Sequence, residues 1–118
     1  MWRTGGMGEM YTYLPPYTDP SFKENKKVCT LKNSECNPKY GASIMRGSFT
    51  FIPGKWTTVA QRVKLNTPRK ADGELELFVN GRSTIKVSGI VLTGSNMGRI
   101  RGLFMQSFFG GELLTLET

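Results

Sequence analysis

The chain has 118 residues, with 16 Lys and Arg against 9 Asp and Glu, so its formal net charge is +7, and it contains no histidine. This length is enough for one domain and too short for two. The lack of histidine excludes Ser-His-Asp and Cys-His catalytic groups, His-ligated zinc and an imidazole base, so any acid–base chemistry depends on Tyr, Lys, Asp or Glu.

The first third of the chain contains one predicted strand followed by a long connection. Residues 9–14 alternate in polarity and hold β-forming side chains, which predicts a strand. Pro15-Pro16 ends this strand, because proline offers no N–H group to a β-ladder. Residues 15–42 contain four prolines and both cysteines without a regular period, and this composition predicts a long surface loop.

Cys29 and Cys36 lie seven residues apart within this predicted loop. Their spacing is not a common zinc or redox spacing, and two ligands rarely hold zinc, so we expect neither a metal site nor a cofactor. A disulfide between them would close a small loop and imply an oxidising, extracellular environment. Two unrelated surface thiols are the alternative, which we favour less because exposed free thiols are reactive.

Four further strands are predicted from residue 43 onward. Residues 43–52 form the first of them, which Pro53-Gly54 ends. Residues 56–65 form the next, and residues 74–79 then alternate clearly between apolar and acidic side chains. Asn80-Gly81 is a strong hairpin signal, because a type I′ turn needs a positive φ at both central residues. The returning strand covers residues 83–92.

The C-terminal part of the chain predicts two more strands. Residues 99–109 place Ile100, Phe104 and Phe108 on one face, and residues 112–117 follow after a glycine pair. The sequence contains no convincing helix. Six or seven short strands at fairly regular spacing predict an all-β fold, an antiparallel sandwich or barrel.

Tyr11 and Tyr13 are candidate catalytic residues. Residues two apart in a strand project from the same face, so both phenols are expected on one side. A phenol can accept or donate a proton when neighbouring cations lower its pKa. Two aromatic rings that merely pack on a sheet are the commoner alternative for this pattern.

Arginine and hydroxyl side chains recur on predicted strands. Arg46, Ser48 and Thr50 are expected to share a face, which could bind a polyanion because guanidinium groups bind carboxylates in a bidentate manner. An ordinary solvated face is the alternative. The excess of cations suits nucleic acid or an acidic polysaccharide, and the lack of basic clusters argues against nucleic acid. No apolar run is long enough to span a membrane.

An ordered series of short segments resembles polysaccharide lyase family 14. The segments are MWRTGGMGEMYTY (1–13), CNPKYG (36–41), RGSFTF (46–51), GKWT (54–57), VKLN (63–66), GELEL (73–77) with the Asn80-Gly81 turn, and SFFGG (107–111). The resemblance covers essentially the whole chain, 1–118, which we interpret as a single lyase-like domain.

This resemblance implies a β-jelly roll whose concave sheet binds an acidic polysaccharide, such as alginate or glucuronan, and cleaves it by β-elimination. It implies that Tyr11 and Tyr13 are the catalytic tyrosine pair. It places Arg3, Arg46 and Ser48 among candidate substrate-binding residues. It also implies a secreted enzyme.

Family members also use a lysine and an arginine that lie upstream of the tyrosine pair, before the position of Met1. We therefore expect this chain to be the C-terminal portion of a family 14 jelly roll, incomplete at its N-terminus and completed by an upstream segment or a partner chain. Two alternatives to a lyase remain. One is a non-catalytic carbohydrate-binding or extracellular matrix protein, and the other, which is less favoured, is a basic nucleic-acid-binding β-domain.

Overall fold

The protein is built on two antiparallel β-sheets, and its structure, a computed structural model, describes residues 1–106. Each sheet has three strands, in the orders β1-β3-β2 and β4-β5-β6. The strands are β1 (Met7–Thr12), β2 (Glu35–Asn37), β3 (Gly41–Thr50), β4 (Val59–Lys64), β5 (Gly73–Val79) and β6 (Arg82–Ile90). This architecture confirms the predicted all-β fold of antiparallel sandwich type.

Apolar side chains from both sheets form one buried core. Met10 of β1 lies opposite Ile44 of β3, and Leu77 of β5 lies opposite Ile85 of β6, and all four belong to this core. Ile44 and Ile85 are completely buried. Because successive residues of a strand face opposite sides, the residues on either side of Met10 lie on the face turned away from the core. That outer face carries the candidate site.

The hairpin between β5 and β6 forms where the sequence predicts it. Asn80 and Gly81 have φ angles of 50° and 78°, the two positive values that a type I′ turn requires. The Asn80 side chain also accepts a hydrogen bond from the backbone N–H of Thr58, at 3.0 Å. The turn therefore fixes the β5–β6 register and anchors the residue before β4.

The connection over residues 15–42 is more ordered than a surface loop. It contains a 3₁₀-helical segment, Pro20–Thr30, and the short strand β2. The Asp19 carboxylate accepts a hydrogen bond from the backbone N–H of Ser21 at 2.8 Å, which caps the start of this segment. An acidic residue directly before a proline is a helix-start signal, and the loop prediction overlooked it.

Cys29 and Cys36 form a disulfide, as the sequence favoured. The bond joins the Pro20–Thr30 segment to β2 at the edge of the first sheet. Both half-cystine side chains pack against the apolar core. The disulfide therefore fastens the long connection to the sheet that bears the candidate site.

Strand β3 contains a bulge that the sequence pattern did not reveal. Gly8 pairs with Phe49 and Met10 pairs with Ile44, so residues 45–48 of β3 lie across from the single residue Glu9 of β1, three more than in a regular ladder. Gly47 within the bulge has a φ of 80°. Because a bulge breaks strict alternation, the two-residue spacing of 46, 48 and 50 does not by itself place their side chains on one face.

The predicted strand over residues 99–109 is also not observed where the structure describes it. Residues 99–106 belong to no strand. Their apolar side chains are largely exposed, with Leu103 and Met105 each at 90%. A strand needs a partner for its backbone groups, and none of the strands in 1–106 pairs with this segment. The remainder of this prediction and the predicted strand over 112–117 lie outside the described residues.

Candidate active site

The two candidate tyrosines lie side by side on the outer face of the first sheet. Tyr11 is in β1 and Tyr13 follows directly after it. Their ring centroids are 5.5 Å apart, with an edge-to-face angle of 71°. Tyr13 is 80% exposed, so its phenol is accessible to a large substrate. The adjacency expected from the Tyr-x-Tyr spacing is therefore observed.

The Tyr11 phenol is held by its surroundings. Its hydroxyl donates a hydrogen bond to the backbone carbonyl of Tyr40. The guanidinium carbon of Arg3 lies 5.8 Å from the centroid of the Tyr11 ring, within the range of a cation–π contact. Burial raises the pKa of Tyr11, the neighbouring Tyr13 and Glu9 raise it further, and Arg3 only partly opposes them. Tyr11 therefore stays a protonated phenol at neutral pH.

A buried carboxylate lies beside the tyrosine pair. The side chain of Glu9, two residues before Tyr11 in β1, is fully buried. Its Oε1 atom lies 2.9 Å from Nε of Arg3, and its Oε2 atom lies 3.1 Å from Nε of Arg46. The hydroxyl of Ser43 also donates to Oε2, at 2.5 Å. We call Glu9, Arg3, Arg46 and Ser43 the Glu9 cluster.

The strand register explains how these polar groups meet. Ser43 of β3 lies directly opposite Tyr11 of β1 and also opposite Glu35 of β2. Residues opposite one another in an antiparallel pair project to the same side. The outer face of the sheet therefore gathers one hydroxyl, one phenol and two carboxylates around the two arginines. Arg46 contacts both carboxylates, because its Nε atom binds Glu9 and its Nη2 atom lies 3.7 Å from Oε2 of Glu35.

The Glu9 cluster should make stability depend on acid pH. Burial alone would raise the pKa of Glu9, but hydrogen bonds from Ser43 and Arg46 and the charge of Arg3 outweigh it, so the pKa lies below the ordinary value of 4.5. A carboxyl whose pKa is lower in the folded state stabilises the protein above its unfolded-state pKa, and this stability is lost as the pH falls through the folded-state pKa.

We therefore expect the free energy of unfolding to decline below about pH 4.5, and to decline less steeply in Glu9→Gln. Urea titrations of both proteins between about pH 6 and about pH 3 measure this difference. Parallel pH dependences in the two proteins would exclude Glu9 as a source of the effect.

The structure brings together two of the three residues predicted to bind substrate. Arg3 and Arg46 meet at Glu9, and their side chains remain 38% and 36% exposed. Ser48 lies in the β3 bulge instead, where its hydroxyl donates to the backbone carbonyl of Met45. Glu9 was not predicted as a site residue. Its position two before Tyr11 on one alternating strand was the available signal.

A small cavity of about 80 Å³ adjoins the tyrosine pair. Tyr13, Tyr17, Cys36 and Lys39 are among its lining residues. Pockets that enclose small ligands usually measure about 300–1,000 Å³. The open face around Tyr13, rather than this cavity, is therefore the candidate binding surface.

The described residues also bear on metal sites and on membrane spans. Within residues 1–106, no three His, Cys, Asp or Glu side chains lie close enough together to hold a metal ion. No helix in the same part of the chain has the length and apolar character needed to cross a bilayer.

Comparisons with known proteins agree with this fold. The family model described as Polysaccharide lyase 14 matches residues 1–117. A crystal structure of the marine PL-14 alginate lyase from Aplysia kurodai is similar, with a TM-score of 0.77 and 29% sequence identity. The match covers 94% of this chain and 42% of the alginate lyase, so the chain spans less than half the length of that enzyme. No curated protein matches. Because the family model covers nearly every residue, the chain belongs to polysaccharide lyase family 14.

Proposed function

We propose that this protein acts on an acidic polyuronate, alginate or glucuronan, and cleaves it by β-elimination. The observation that carries the proposal is the accessible tyrosine pair, whose rings lie 5.5 Å apart beside the guanidinium of Arg3. Membership of a polysaccharide lyase family and similarity to an alginate lyase support it.

The elimination needs three groups from the protein. A base removes the C5 proton of a uronate residue, its electrons form the C4–C5 double bond, and the C4–O4 bond breaks as an acid protonates the leaving O4. A cation must stabilise the negative charge that develops on the C5 carboxylate. None of these steps requires histidine, a metal ion or a redox cofactor.

The environments of the two phenols suggest different roles. The Tyr11 hydroxyl is already committed to the Tyr40 carbonyl, and its raised pKa keeps it protonated, so we assign it as a supporting donor. Tyr13 is exposed and is the better placed to exchange protons with the sugar, so we assign it as the base and acid of the elimination.

Arg3 and Arg46 are assigned to the uronate carboxylate, and Ser48 to a sugar hydroxyl. Each arginine binds Glu9 through Nε, which is one of the five N–H donors of a guanidinium group. A partly exposed guanidinium can bind a second carboxylate in a bidentate manner.

The ultraviolet absorbance of the unsaturated product tests this proposal. Incubating the protein with polymannuronate should produce a steady increase in that absorbance, and a neutral glucan, which has no carboxylate to activate the C5 proton, should produce none. No increase with any polyuronate, under conditions where the protein is folded, would contradict the lyase function.

A non-catalytic carbohydrate-binding protein is the second candidate. Two observations favour it, namely the raised pKa of Tyr11 and the engagement of both arginines by Glu9, because each weakens activation of the phenols. Calorimetry with alginate oligomers separates the candidates, since this alternative predicts binding without unsaturated product.

We also propose that a further β-segment, upstream in the same product or on a partner chain, completes the sandwich. Several large apolar side chains of the described residues are exposed, and β4 is an edge strand of its sheet. Trp56 is fully exposed and Val59 of β4 is 45% exposed. Exposed apolar patches and free sheet edges usually mark contact surfaces. Co-expression with the N-terminal part of a family 14 domain should yield a complex that co-elutes and binds less of a hydrophobic dye.

An extracellular location is part of the same proposal. The Cys29–Cys36 disulfide supports it, because disulfides persist mainly in oxidising environments. Nucleic acid and membranes are not among the partners we propose.

A further inference from the structure

The elimination assigned above makes no use of Glu9, although Glu9 has the most buried charged side chain of the site. Its carboxylate is 0% exposed and accepts hydrogen bonds from Arg3, Arg46 and Ser43. A buried carboxylate is costly unless it is paired, and this one joins a residue ahead of β1 to two residues of β3. The cost and the number of partners indicate a role beyond solubility.

The Arg3 side chain connects Glu9 to Tyr11. Nε of Arg3 lies 2.9 Å from Glu9, while the guanidinium carbon lies 5.8 Å from the centroid of the Tyr11 ring. Arginine has several rotatable bonds, and its side chain is 38% exposed here, so it would sample many rotamers without a fixed partner. The Glu9 carboxylate supplies that partner.

We infer that Glu9 is a positioning residue, which holds the guanidinium of Arg3 against Tyr11 and balances its charge so that Tyr11 remains a neutral hydrogen-bond donor. This inference rests on the proposed function for its catalytic meaning. The contact geometry on which it depends is independent of any substrate.

Several charged groups surround Glu9 and enter the balance. The positive groups are Arg3, Arg46 and the N-terminal ammonium of Met1. Burial lowers the pKa of this ammonium group, and the charge of Glu9 partly opposes that lowering. The negative group is Glu35, which contacts Arg46. Among the described residues, Arg3 is the cation that favours ionisation of Tyr11, while the phenol of Tyr13 and the carboxylates of Glu9 and Glu35 oppose it.

The inference predicts opposite effects of two substitutions on one phenol. Glu9→Gln removes a negative charge and leaves Arg3 unbalanced, so Tyr11 should ionise at a lower pH than in the unmodified protein. Arg3→Gln removes the cation and leaves the carboxylate, so Tyr11 should ionise at a higher pH. Glu9→Asp separates positioning from charge: it keeps the carboxylate on a shorter side chain, so loss of the Arg3 contact should raise the pKa of Tyr11, whereas an effect of charge alone predicts no change.

NMR of tyrosine labelled at Cζ measures this ionisation directly, with Tyr11→Phe identifying the signal among the four tyrosines. Glu74→Gln is the matched control, because Glu74 also contacts two cations, Arg62 and Lys64, but lies in the second sheet. It should leave the Tyr11 titration unchanged.

An unchanged Tyr11 titration in Glu9→Gln and Arg3→Gln, or shifts in the same direction, would overturn the inference. If Glu9→Gln does not fold, Glu9→Asp decides alone: an upward shift of the Tyr11 pKa supports the inference and no shift overturns it. The NMR titration contains no polysaccharide, so its result does not depend on lyase activity. Failure to form unsaturated product counts against the proposed function, whereas an unchanged pKa of Tyr11 counts against the role of Glu9.

Discussion

Replacing Tyr13 by phenylalanine is expected to reduce the rate of uronate elimination by about 10²–10⁴-fold, the usual contribution of a positioned acid or base. The substitution removes only the hydroxyl oxygen. The ring can still pack edge-to-face on Tyr11, and polymer binding should change little. In kinetic terms, kcat should fall while KM stays nearly constant, as expected for an interaction made only in the transition state.

Tyr17→Phe is the matched control for this experiment. Tyr17 lines the small cavity beside Tyr13 but has no role in the proposed elimination. Product absorbance with polymannuronate should therefore be close to that of the unmodified protein. If Tyr13→Phe turned over as fast as this control, Tyr13 would be removed from the mechanism.

Replacing Asn25 by alanine is expected to lower the free energy of unfolding by about 3–5 kcal/mol, since each buried polar group left unpaired costs about 1–3 kcal/mol. Asn25 is 1% exposed. Its Nδ2 atom donates to the carbonyls of Pro15 and Val91, at 3.0 and 2.9 Å. Its Oδ1 atom accepts from the N–H of Val91, at 2.8 Å. The variant therefore leaves three backbone groups without partners.

This loss is a large fraction of the stability of an ordinary domain, about 5–15 kcal/mol, so the variant should unfold at much lower urea concentration. Asn37→Ala is the control: the Asn37 side chain accepts two backbone N–H groups in an exposed turn, where water can replace it. Its cost should stay below about 1 kcal/mol. Equal losses in the two variants would refute a special role for Asn25.

Features set by neighbouring residues could be predicted from the sequence. The alternation of residues 74–79 and the Asn80-Gly81 turn together predict the β5–β6 hairpin, which the structure confirms. The adjacency of Tyr11 and Tyr13 likewise needs only the two-residue period of a strand. Such features require no knowledge of what packs against them.

Features that depend on distant partners could not be predicted in this way. The segment 99–106 has a strand-like pattern but lacks a strand to pair with among the described residues. The capped 3₁₀ segment Pro20–Thr30 is anchored by Asn25, which reaches Val91 sixty-six positions away. Local propensity is a weak guide where long-range contacts decide the conformation.

The all-β class, the family and the side-by-side phenols could be predicted before folding was known, because they follow from composition, motif order and strand period. The burial of Glu9 and the meeting of Arg3 and Arg46 at its carboxylate arise only in the folded chain. That meeting depends on the pairing of β1 with β3 and on a bulge of three extra residues, which bring together groups up to 37 positions apart. The protonation state of Tyr11 follows from these contacts, since a pKa is set by burial and by nearby charges.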